Sequence, residues 1–280
     1  MMNPSRLLIS TFLTIFSSGV ATSPAQTFET LKGNCAIAVS TRSNKLELLL
    51  ERGTCPAETD RDRLRDRDAR KGCHSSQNDE PFDAFNGFVV SDLGRDGAHI
   101  EAVLNGEAGT LTCSGSIHNF KLTGDLTFTP NPAFAAHMLK LGIQGITSEN
   151  LQAYTLFHVT AAKVEALLNL GVTGIDAHNL NALSIFHVDP PFVESIRALG
   201  YPTPPAEKLI ALKIHGVNPE EVKQIRTLGY QPSLDELIQM RIFKITPAFI
   251  QDMRARGFGS DPGTLTIAKL VKIRISKITE

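Results

Sequence analysis

The sequence contains no tryptophan, and aromatic residues make up only 6% of its 280 residues. Aromatic ligand cages and base-stacking platforms need such rings, so both kinds of site are disfavoured. The 28 Lys and Arg residues nearly balance 29 Asp and Glu residues, and a formal net charge of -1 gives no overall attraction to nucleic acid. After residue 25 no apolar run approaches the ~20 residues of a membrane span, which excludes a polytopic membrane protein.

The familiar catalytic motifs are also missing. The chain has no H-E-x-x-H helix, no G-x-S-x-G elbow, no Walker phosphate loop, and no G-x-G-x-x-G turn after a strand. Because triads are defined by geometry and not by spacing, a convergent active site stays open. We nevertheless predict a protein that is not an enzyme and carries no cofactor.

Metal binding has little support in the spacing of cysteine and histidine. No two cysteines are separated by the two to four residues of a zinc knuckle. His158 and His187 occupy equivalent places in consecutive repeats, described below, and His215 lies one position earlier in the next. Residues one repeat apart are too distant to share a ligand sphere of ~2.1 Å, so we predict structural histidines at helix ends.

Residues 1–25 have the pattern of a secretory signal peptide. Arg6 supplies the positive start, Leu7 to Val20 form an apolar stretch, and Ser23-Pro24-Ala25 offers small residues before a cleavage site. We predict cleavage before Gln26 and a periplasmic or extracellular location. A retained N-terminal anchor is the alternative.

Export gives the four cysteines a role, because an even number of cysteines in an exported chain usually forms disulfides. All four lie in the first half of the chain, and three pairings are possible. We favour Cys55–Cys73, which would close a charged insertion, together with Cys35–Cys113, which would join an early strand to a late one. No cysteine would then cross-link the second half.

Residues 26–130 are predicted to form a small antiparallel β-domain. Short apolar runs alternate with Gly, Asn and Asp turns, as in half-buried strands. Residues 56–80 are expected to form a solvated charged loop, because residues 60–71 alternate in sign and offer little to bury. A nucleic-acid arm is the other interpretation of that segment. The strands are predicted at Ala36 to Ser40, Leu46 to Leu50, Phe88 to Ser91, Ile100 to Leu104, Thr110 to Ser114 and Leu122 to Phe128.

Residues 131–280 are organised as five repeats of about 29 residues, at 131–159, 160–188, 189–217, 218–245 and 246–280. Each repeat opens with an Asn, Thr or Asp that can cap a helix, and four of the five place Pro next. Gly follows at the eleventh position in every copy, where it suits the left-handed residue after a helix. The capping residues are Asn131, Thr160, Asp189, Asn218 and Thr246, and the glycines are Gly142, Gly171, Gly200, Gly229 and Gly257.

Apolar stripes predict two helices in each repeat. Val193, Ile196 and Leu199, with their counterparts in other copies, fall on one face of the first helix. The second helix is marked by Leu151, Tyr154, Leu156 and Val159 in the first copy. Because a lone helix pair cannot bury its stripe, we predict an α+β protein in which an α-solenoid of five pairs follows the β-domain. The second-helix counterparts are Leu180, Leu183, Ile185, Val188; Leu209, Leu212, Ile214, Val217; Leu237, Met240, Ile242, Ile245; and Leu265, Ala268, Leu270, Ile273.

Basic residues recur at equivalent positions of the last three repeats. Residues 189–280 carry 13 basic and 10 acidic side chains, a net +3, whereas residues 26–130 carry 12 and 16, a net -4. Stacked repeats would align these cations into a line of positive potential, so we predict that they bind a protein or peptide with an acidic surface. Solvated faces without a partner are the alternative. The six residues are Arg197, Arg226, Arg254, Lys213, Arg241 and Lys269.

Two segments carry a resemblance to known proteins. Residues 189–201 and 209–219 resemble the helical repeats of a poorly characterised group of exported bacterial proteins. The strand-to-repeat junction at 124–134 also resembles the junction in those proteins. Similar repeats are appended to some sensor metallopeptidases of the penicillinase-regulator type. The resemblance implies the architecture and no activity, because the metallopeptidase helix and membrane spans have no counterpart here.

We therefore predict a non-catalytic module of the cell envelope that binds or scaffolds a protein or peptide, without nucleic acid and without stable membrane insertion. The alternative is a periplasmic hydrolase with a site in the β-domain or the interdomain cleft. A pocket that gathers histidine and aspartate with a serine nucleophile would favour the enzyme. The candidates are His99, His118, Asp92, Asp125, Ser114 and Ser116.

Overall fold

A computed structural model describes residues 27–55 and 72–276 of the chain. The expected signal peptide, most of the expected charged loop and residues 277–280 lie outside these ranges. The described residues form an α+β molecule, in which a seven-stranded antiparallel sheet is followed by ten α-helices. None of those helices is long and apolar enough to cross a membrane.

The sheet has the strand order β3-β2-β1-β7-β6-β5-β4, with every neighbouring pair antiparallel. Alternate residues are buried along β2 and β6, which places the apolar side chains on one face. We call this the inner face and the opposite, more polar one the outer face. The strands are β1 Leu31–Val39, β2 Leu46–Gly53, β3 Cys73–Glu80, β4 Phe85–Asn86, β5 His99–Gly106, β6 Gly109–His118 and β7 Lys121–Pro130.

Five of the six predicted strands are present, and the prediction of a strand at Phe88 to Ser91 is wrong. The segment at Phe88 to Ser91 runs into a 3₁₀ turn at Val90–Gly94, and the strand β4 precedes it. Strand β3 was expected to be part of a loop at 56–80, because its sequence CHSSQNDE has no apolar pattern. It pairs with β2 along its whole length at the edge of the sheet, where polar side chains are tolerated.

Both predicted disulfides are present, and every cysteine is paired. Cys55–Cys73 closes the base of the charged insertion. Cys35 and Cys113 lie on strands that are separated by β7, yet their Cα atoms are 5.8 Å apart, where two flat strand spacings would give about 9.5 Å. The sheet is therefore strongly curved across β7. Gly124 and Gly115 face each other at this bend, and a Cβ on Gly124 would lie 2.1 Å from the Ser114 carbonyl oxygen.

The first helix of each pair begins and ends where its predicted capping residues indicate. Each of the five predicted caps accepts a backbone hydrogen bond from the first turn of its helix. The five predicted glycines all have φ between +80° and +91°, the left-handed conformation that ends a helix. The helices are α1 Pro132–Lys140, α2 Ser148–Leu156, α3 Ala161–Asn169, α4 Leu180–Ile185, α5 Pro190–Ala198, α6 Ala206–Ile214, α7 Pro219–Thr227, α8 Leu234–Ile242, α9 Pro247–Ala255 and α10 Ile267–Ile275.

The last helix differs from its predicted register. Ser233 caps α8 and Thr266 caps α10, so equivalent second-helix positions are 33 residues apart in these two copies and not the 28 that the sequence alignment assumed. The extra residues form a turn in which Asp261 accepts backbone hydrogen bonds from Gly263 and Thr264. As a result Ile275, and not Leu270, is the counterpart of Ile242.

Helices of the same kind contact one another along the chain. Among the first helices of the pairs α1 contacts α3, α3 contacts α5, and α7 contacts α9; among the second helices α2, α4, α6, α8 and α10 contact one another in succession. Val193, Ile196 and Ile225 of the predicted stripe are buried between them. Helix α2 also packs on β5, β6 and β7, and the core runs without a break from the inner face into the helices.

Candidate functional site

Arg226 and Arg254, two of the predicted binding residues, are held in contacts between helix pairs. The guanidinium of Arg226 donates to the carbonyl of Leu199, and that of Arg254 donates to the carbonyl of Leu228 at 2.7 Å. Each also lies over a tyrosine ring of the preceding pair, 4.9 Å from the Tyr201 centroid for Arg226. These contacts satisfy carbonyls at helix ends. We call them the arginine clasps.

The contact between the second and third helix pairs has no arginine clasp. The carbonyl of Leu170 accepts a hydrogen bond from the Thr203 hydroxyl at 3.1 Å, and Val172 lies where the next two pairs have Tyr201 and Tyr230. Arg197 is consequently exposed, without the acceptor and the ring that hold its two counterparts. The first predicted column therefore does not form one uniform line of charge.

The second column connects the two helices of each pair. Lys213 lies 4.5 Å from the Phe192 ring centroid, and Arg241 forms an ion pair with Glu221 at 2.5 Å. The third member is Arg274, which lies 4.3 Å from the Phe249 ring centroid and donates to the Phe243 carbonyl. The sequence analysis gave this third position to Lys269 because it placed α10 in the wrong register.

Lys269 has a different environment from the other members of its predicted column. Its ammonium group donates to the carbonyl of Phe258 at 2.6 Å and to that of Thr264 at 3.1 Å. These contacts hold the turn that carries the extra residues of the fifth pair. Five of the six predicted binding residues thus have an intramolecular role, and the Arg197 side chain has no hydrogen bond or ion pair within the described residues. Their binding of a partner stays a prediction.

A row of apolar side chains is exposed on the second helices. Ile185, Ile214, Ile242 and Ile275 are the last residues of α4, α6, α8 and α10, and they are 42%, 51%, 51% and 60% exposed. We call these four residues the isoleucine row. Leu156 is their counterpart at the end of α2, and it is only 3% exposed because the β-domain covers it.

The sequence analysis placed Ile185, Ile214 and Ile242 among the apolar positions of the second helix, so their exposure is unexpected. The period of the α-helix would have revealed this exposure from the sequence. Residues two positions apart on a helix differ by about 200° in direction, so Ile214 must point away from Leu212, which is buried. Spacing of i, i+3, i+5 therefore describes two faces and not one stripe.

The junction between sheet and helices contains a buried carboxylate. The Glu80 side chain is fully buried, with one oxygen 2.6 Å from Asn78 Nδ2 and the other 3.1 Å from His158 Nε2. Asn78 Nδ2 also donates to the Leu156 carbonyl at 2.9 Å. The hydrogen bond that His158 donates to the Glu80 carboxylate raises the pKa of His158, because it favours the imidazolium.

The histidines of the repeats have the structural placement that was expected. His158 and His187 follow α2 and α4 with φ of 52°, and Gly216 and Lys244 take the same left-handed conformation after α6 and α8. His215 lies one residue before that position, as the sequence indicated. Within residues 27–55 and 72–276 there is no group of three or more His, Cys, Asp or Glu side chains able to hold a metal ion.

The residues proposed for a hydrolase are dispersed, with one exception. Ser114 Oγ lies 3.2 Å from His99 Nε2 on the outer face. His118 instead lies 3.7 Å from Asp96. Asp92 forms an ion pair with Arg95. The hydrogen bond from the Val89 backbone, followed by that from the Arg95 side chain, lowers the pKa of Asp92. The structure therefore brings together a serine and a histidine, with Asp125 opposite Ser114 on the neighbouring strand, but no hydrogen bond joins Asp92 or Asp125 to this pair within the described residues.

The outer face also has an open depression of about 670 Å³ over β3, β2, β1 and β7. Its charged lining consists of three carboxylates and one lysine, namely Glu47, Glu51, Asp125 and Lys121. Asp125 pairs with Ser114 in the register of β6 and β7, so the Ser114–His99 pair lies beside this depression. Neither Ser114 nor His99 lines it.

No comparison with known proteins bears on the resemblance to exported bacterial repeat proteins, which stays a prediction. Searches against protein-family models, curated proteins and solved structures find no match to this chain.

Proposed function

We propose that the protein is an exported, non-catalytic module that binds or scaffolds a protein or peptide of the cell envelope. The observation that carries this proposal is the repeated contact between like helices. The arginine clasps and the hydroxyls of Tyr201 and Tyr230, which donate to the carbonyls of Pro232 and Leu265, join the last three pairs to one another in the same way.

The helix pairs are proposed to stack as an α-solenoid. Contacts between like helices of successive pairs support this arrangement, since stacking is how single pairs cover their apolar stripes. Such a stack presents the same side-chain position at each step. A surface of that kind offers a series of equivalent contacts to a long partner.

The proposed location outside the cytoplasm is supported by the two disulfides, because such bonds persist in oxidising compartments. We expect the exported protein to begin at Gln26. Mass spectrometry of the protein recovered from the periplasm or medium would measure its N-terminus. A chain that still begins at Met1 would show that the leader is a retained anchor.

The binding proposal is tested by photo-cross-linking in cells. A benzophenone amino acid replaces Arg197 on the helices in one strain and Thr123 on the outer face of the sheet in another, both exposed positions. We expect Arg197 to give a discrete cross-linked species that mass spectrometry identifies as an envelope protein. If helix positions sampled in each of the five pairs give no such species, the module proposal is wrong.

A periplasmic hydrolase is the second candidate, and the Ser114–His99 contact is the observation that favours it. A histidine within hydrogen-bond distance can act as a general base toward a serine hydroxyl. A fluorophosphonate probe tests this directly on the purified chain. Labelling that disappears in Ser114→Ala and in His99→Gln would establish the hydrolase, and an unlabelled wild-type protein would remove its support.

A further inference from the structure

The isoleucine row is a regular feature and not a scatter of exposed apolar residues. Isolated surface hydrophobics are normal, but here the same position is exposed at the end of four successive second helices. Because α4, α6, α8 and α10 contact one another in succession, their last residues follow one another along one side of the helices. The row is narrow, and Phe186, which is 36% exposed beside Ile185, widens it at the end of α4.

The row continues an interface that already exists within the molecule. Its counterpart in the first pair, Leu156, is covered by the β-domain, and Asn78 of the edge strand β3 donates to the Leu156 carbonyl. The backbone that covers this first position is therefore extended. The four positions that follow have the same helix-end geometry and no such cover in the described chain.

The charge beside the row is positive. Lys213 and Arg274 immediately precede two of its members, and Lys244 and Lys272 are exposed next to the last two. Arg241 precedes a third member, with its charge paired to Glu221. Residues 189–280 carry a net charge of +3 in total. Acidic side chains between apolar ones would complement this surface.

We propose that the isoleucine row is the docking line for an extended segment of a partner protein, with apolar side chains at every third residue and acidic residues between them. Packed helices lie about 8–10 Å apart. A polyproline II segment returns to the same face every three residues, or about 9 Å. The apolar side chains of such a segment match the spacing of the row, and this inference rests on the proposed binding function.

An extended segment fits better than the other occupants that an apolar surface can have. A bilayer or a globular protein covers a broad patch, whereas this row is narrow and is bordered by cations. A segment without internal hydrogen bonds can also satisfy its backbone from water on its free side. Lipid and a second copy of the chain are therefore outcomes to be excluded by experiment.

The test uses the disulfide-bonded chain and a synthetic peptide of four Asp-Leu-Pro triplets, acetylated and amidated. We expect binding by isothermal titration calorimetry or fluorescence anisotropy, weakening as salt rises from about 50 to 300 mM. A peptide of the same composition with its leucines adjacent should bind at least tenfold more weakly. Absence of binding by the triplet peptide, or equal binding of both peptides, would overturn the proposed spacing.

Two double variants test whether the peptide binds at the isoleucine row. The double variant Ile214→Ser and Ile242→Ser changes exposed positions and should leave folding intact. It should bind the triplet peptide at least tenfold more weakly than the wild type does. Leu139→Ser together with Val89→Ser is the matched control, since both of these large apolar side chains are exposed elsewhere. Control binding should equal that of the wild type. Unchanged binding by the Ile214/Ile242 variant would refute the row as the docking line.

Two further measurements separate the remaining outcomes. The first measures binding to phosphatidylglycerol vesicles, and the second measures dimerisation by analytical ultracentrifugation. If the wild type shows either property and the Ile214/Ile242 variant loses it, the row binds lipid or a second copy, and the proposal is overturned. The cross-linking experiment distinguishes failure of the docking line from failure of the module. If the envelope partner cross-links equally to wild type and variant, the protein still binds a partner but not through this row.

Discussion

At the scale of single residues, Glu80 shows how the sheet and the helices are joined. Its buried carboxylate would be costly to leave unpaired, and Asn78 and His158 each approach one of its oxygens. His158 reaches it from a left-handed position at the end of α2, where the chain reverses. His158 therefore ties the end of α2 to the sheet, in addition to the packing of α2 on β5, β6 and β7.

This contact predicts a dependence of stability on pH. Glu80 raises the folded-state pKa of His158 above the usual value of about 6.5, so the stabilisation is fully present below that value and is lost as pH rises through the folded pKa. The loss should be at most about 1 kcal/mol, because half of the His158 side chain faces solvent.

Thermal unfolding measured between about pH 5.5 and 8.5 checks this prediction. The comparison is with His158→Asn, which tolerates the left-handed backbone but does not titrate. The stability difference between wild type and variant should shrink as pH rises. A difference that stays constant over this range would show that the Glu80–His158 contact contributes nothing through protonation.

Gly124 is a second residue whose identity the structure requires. A Cβ at this position would lie 2.1 Å from the Ser114 carbonyl oxygen and 2.5 Å from the Gly115 Cα, both of them backbone atoms that cannot rotate away. We expect Gly124→Ala to destabilise the protein by about 1–3 kcal/mol through overpacking at the bend.

Urea unfolding at equilibrium measures that loss. Gly94→Ala is the control, because a Cβ there meets no atom within 4 Å. It should shift the midpoint little. Equal midpoints for Gly124→Ala and wild type would mean that the sheet can open at this point without cost.

At the scale of elements, the helix ends were predictable and the polar strand was not. Asx and Thr caps and left-handed glycines are determined by local hydrogen bonding, so Asp189 and Gly200 mark α5 in the sequence as they do in the structure. The strand β3 depends on pairing with β2, a contact between distant residues that its own polar sequence does not report. The register of α10 was missed because the extra residues before Thr266 lie between two helix signals.

The candidate site was only partly predictable for the same reason. The sequence located the repeated cations, but Arg226 and Arg254 donate to backbone carbonyls of the preceding pair, and such acceptors exist at every position of any sequence. The isoleucine row required the direction of each side chain as well as its polarity. Burial of the stripe, by contrast, was read correctly at Ile196 and Ile225.

Burial of the stripe predicts that single helices depend on their neighbours. Ile225→Asp would place an unpaired carboxylate in the core between helix pairs, at a cost of about 4 kcal/mol or more. Since total stabilities are about 5–15 kcal/mol, we expect loss of helical structure at temperatures where the wild type is folded.

Circular dichroism during heating would follow this loss. Gln224→Asp, an exposed position in the same helix, adds the same charge without burying it and should unfold near the wild-type temperature. An Ile225→Asp protein as stable as that control would place Ile225 at the surface and contradict the stacking of the pairs.

At the scale of the whole molecule, the sheet and the first helix pairs share one core and are joined directly by the chain. Strand β7 ends at Pro130 and α1 begins at Pro132, so the helices continue directly from a central strand. The apolar cluster of the inner face extends through the first pairs, and a second cluster holds the last ones together. Movement of the helices relative to the sheet would therefore disturb the core near α2.

The strand order also determines how the molecule would bear tension. Leu31 pairs with Phe128, so the chain enters β1 and leaves β7 at the same end of the sheet. Pulling on these two ends would separate the strands like a zipper, breaking hydrogen bonds one pair at a time. After four pairs the opening would reach Cys35, whose covalent bond to Cys113 ties β1 to the far side of β7. The disulfide is thus a mechanical stop, and a pull between the amino terminus and the helices would be carried by a covalent bond once those four pairs had opened.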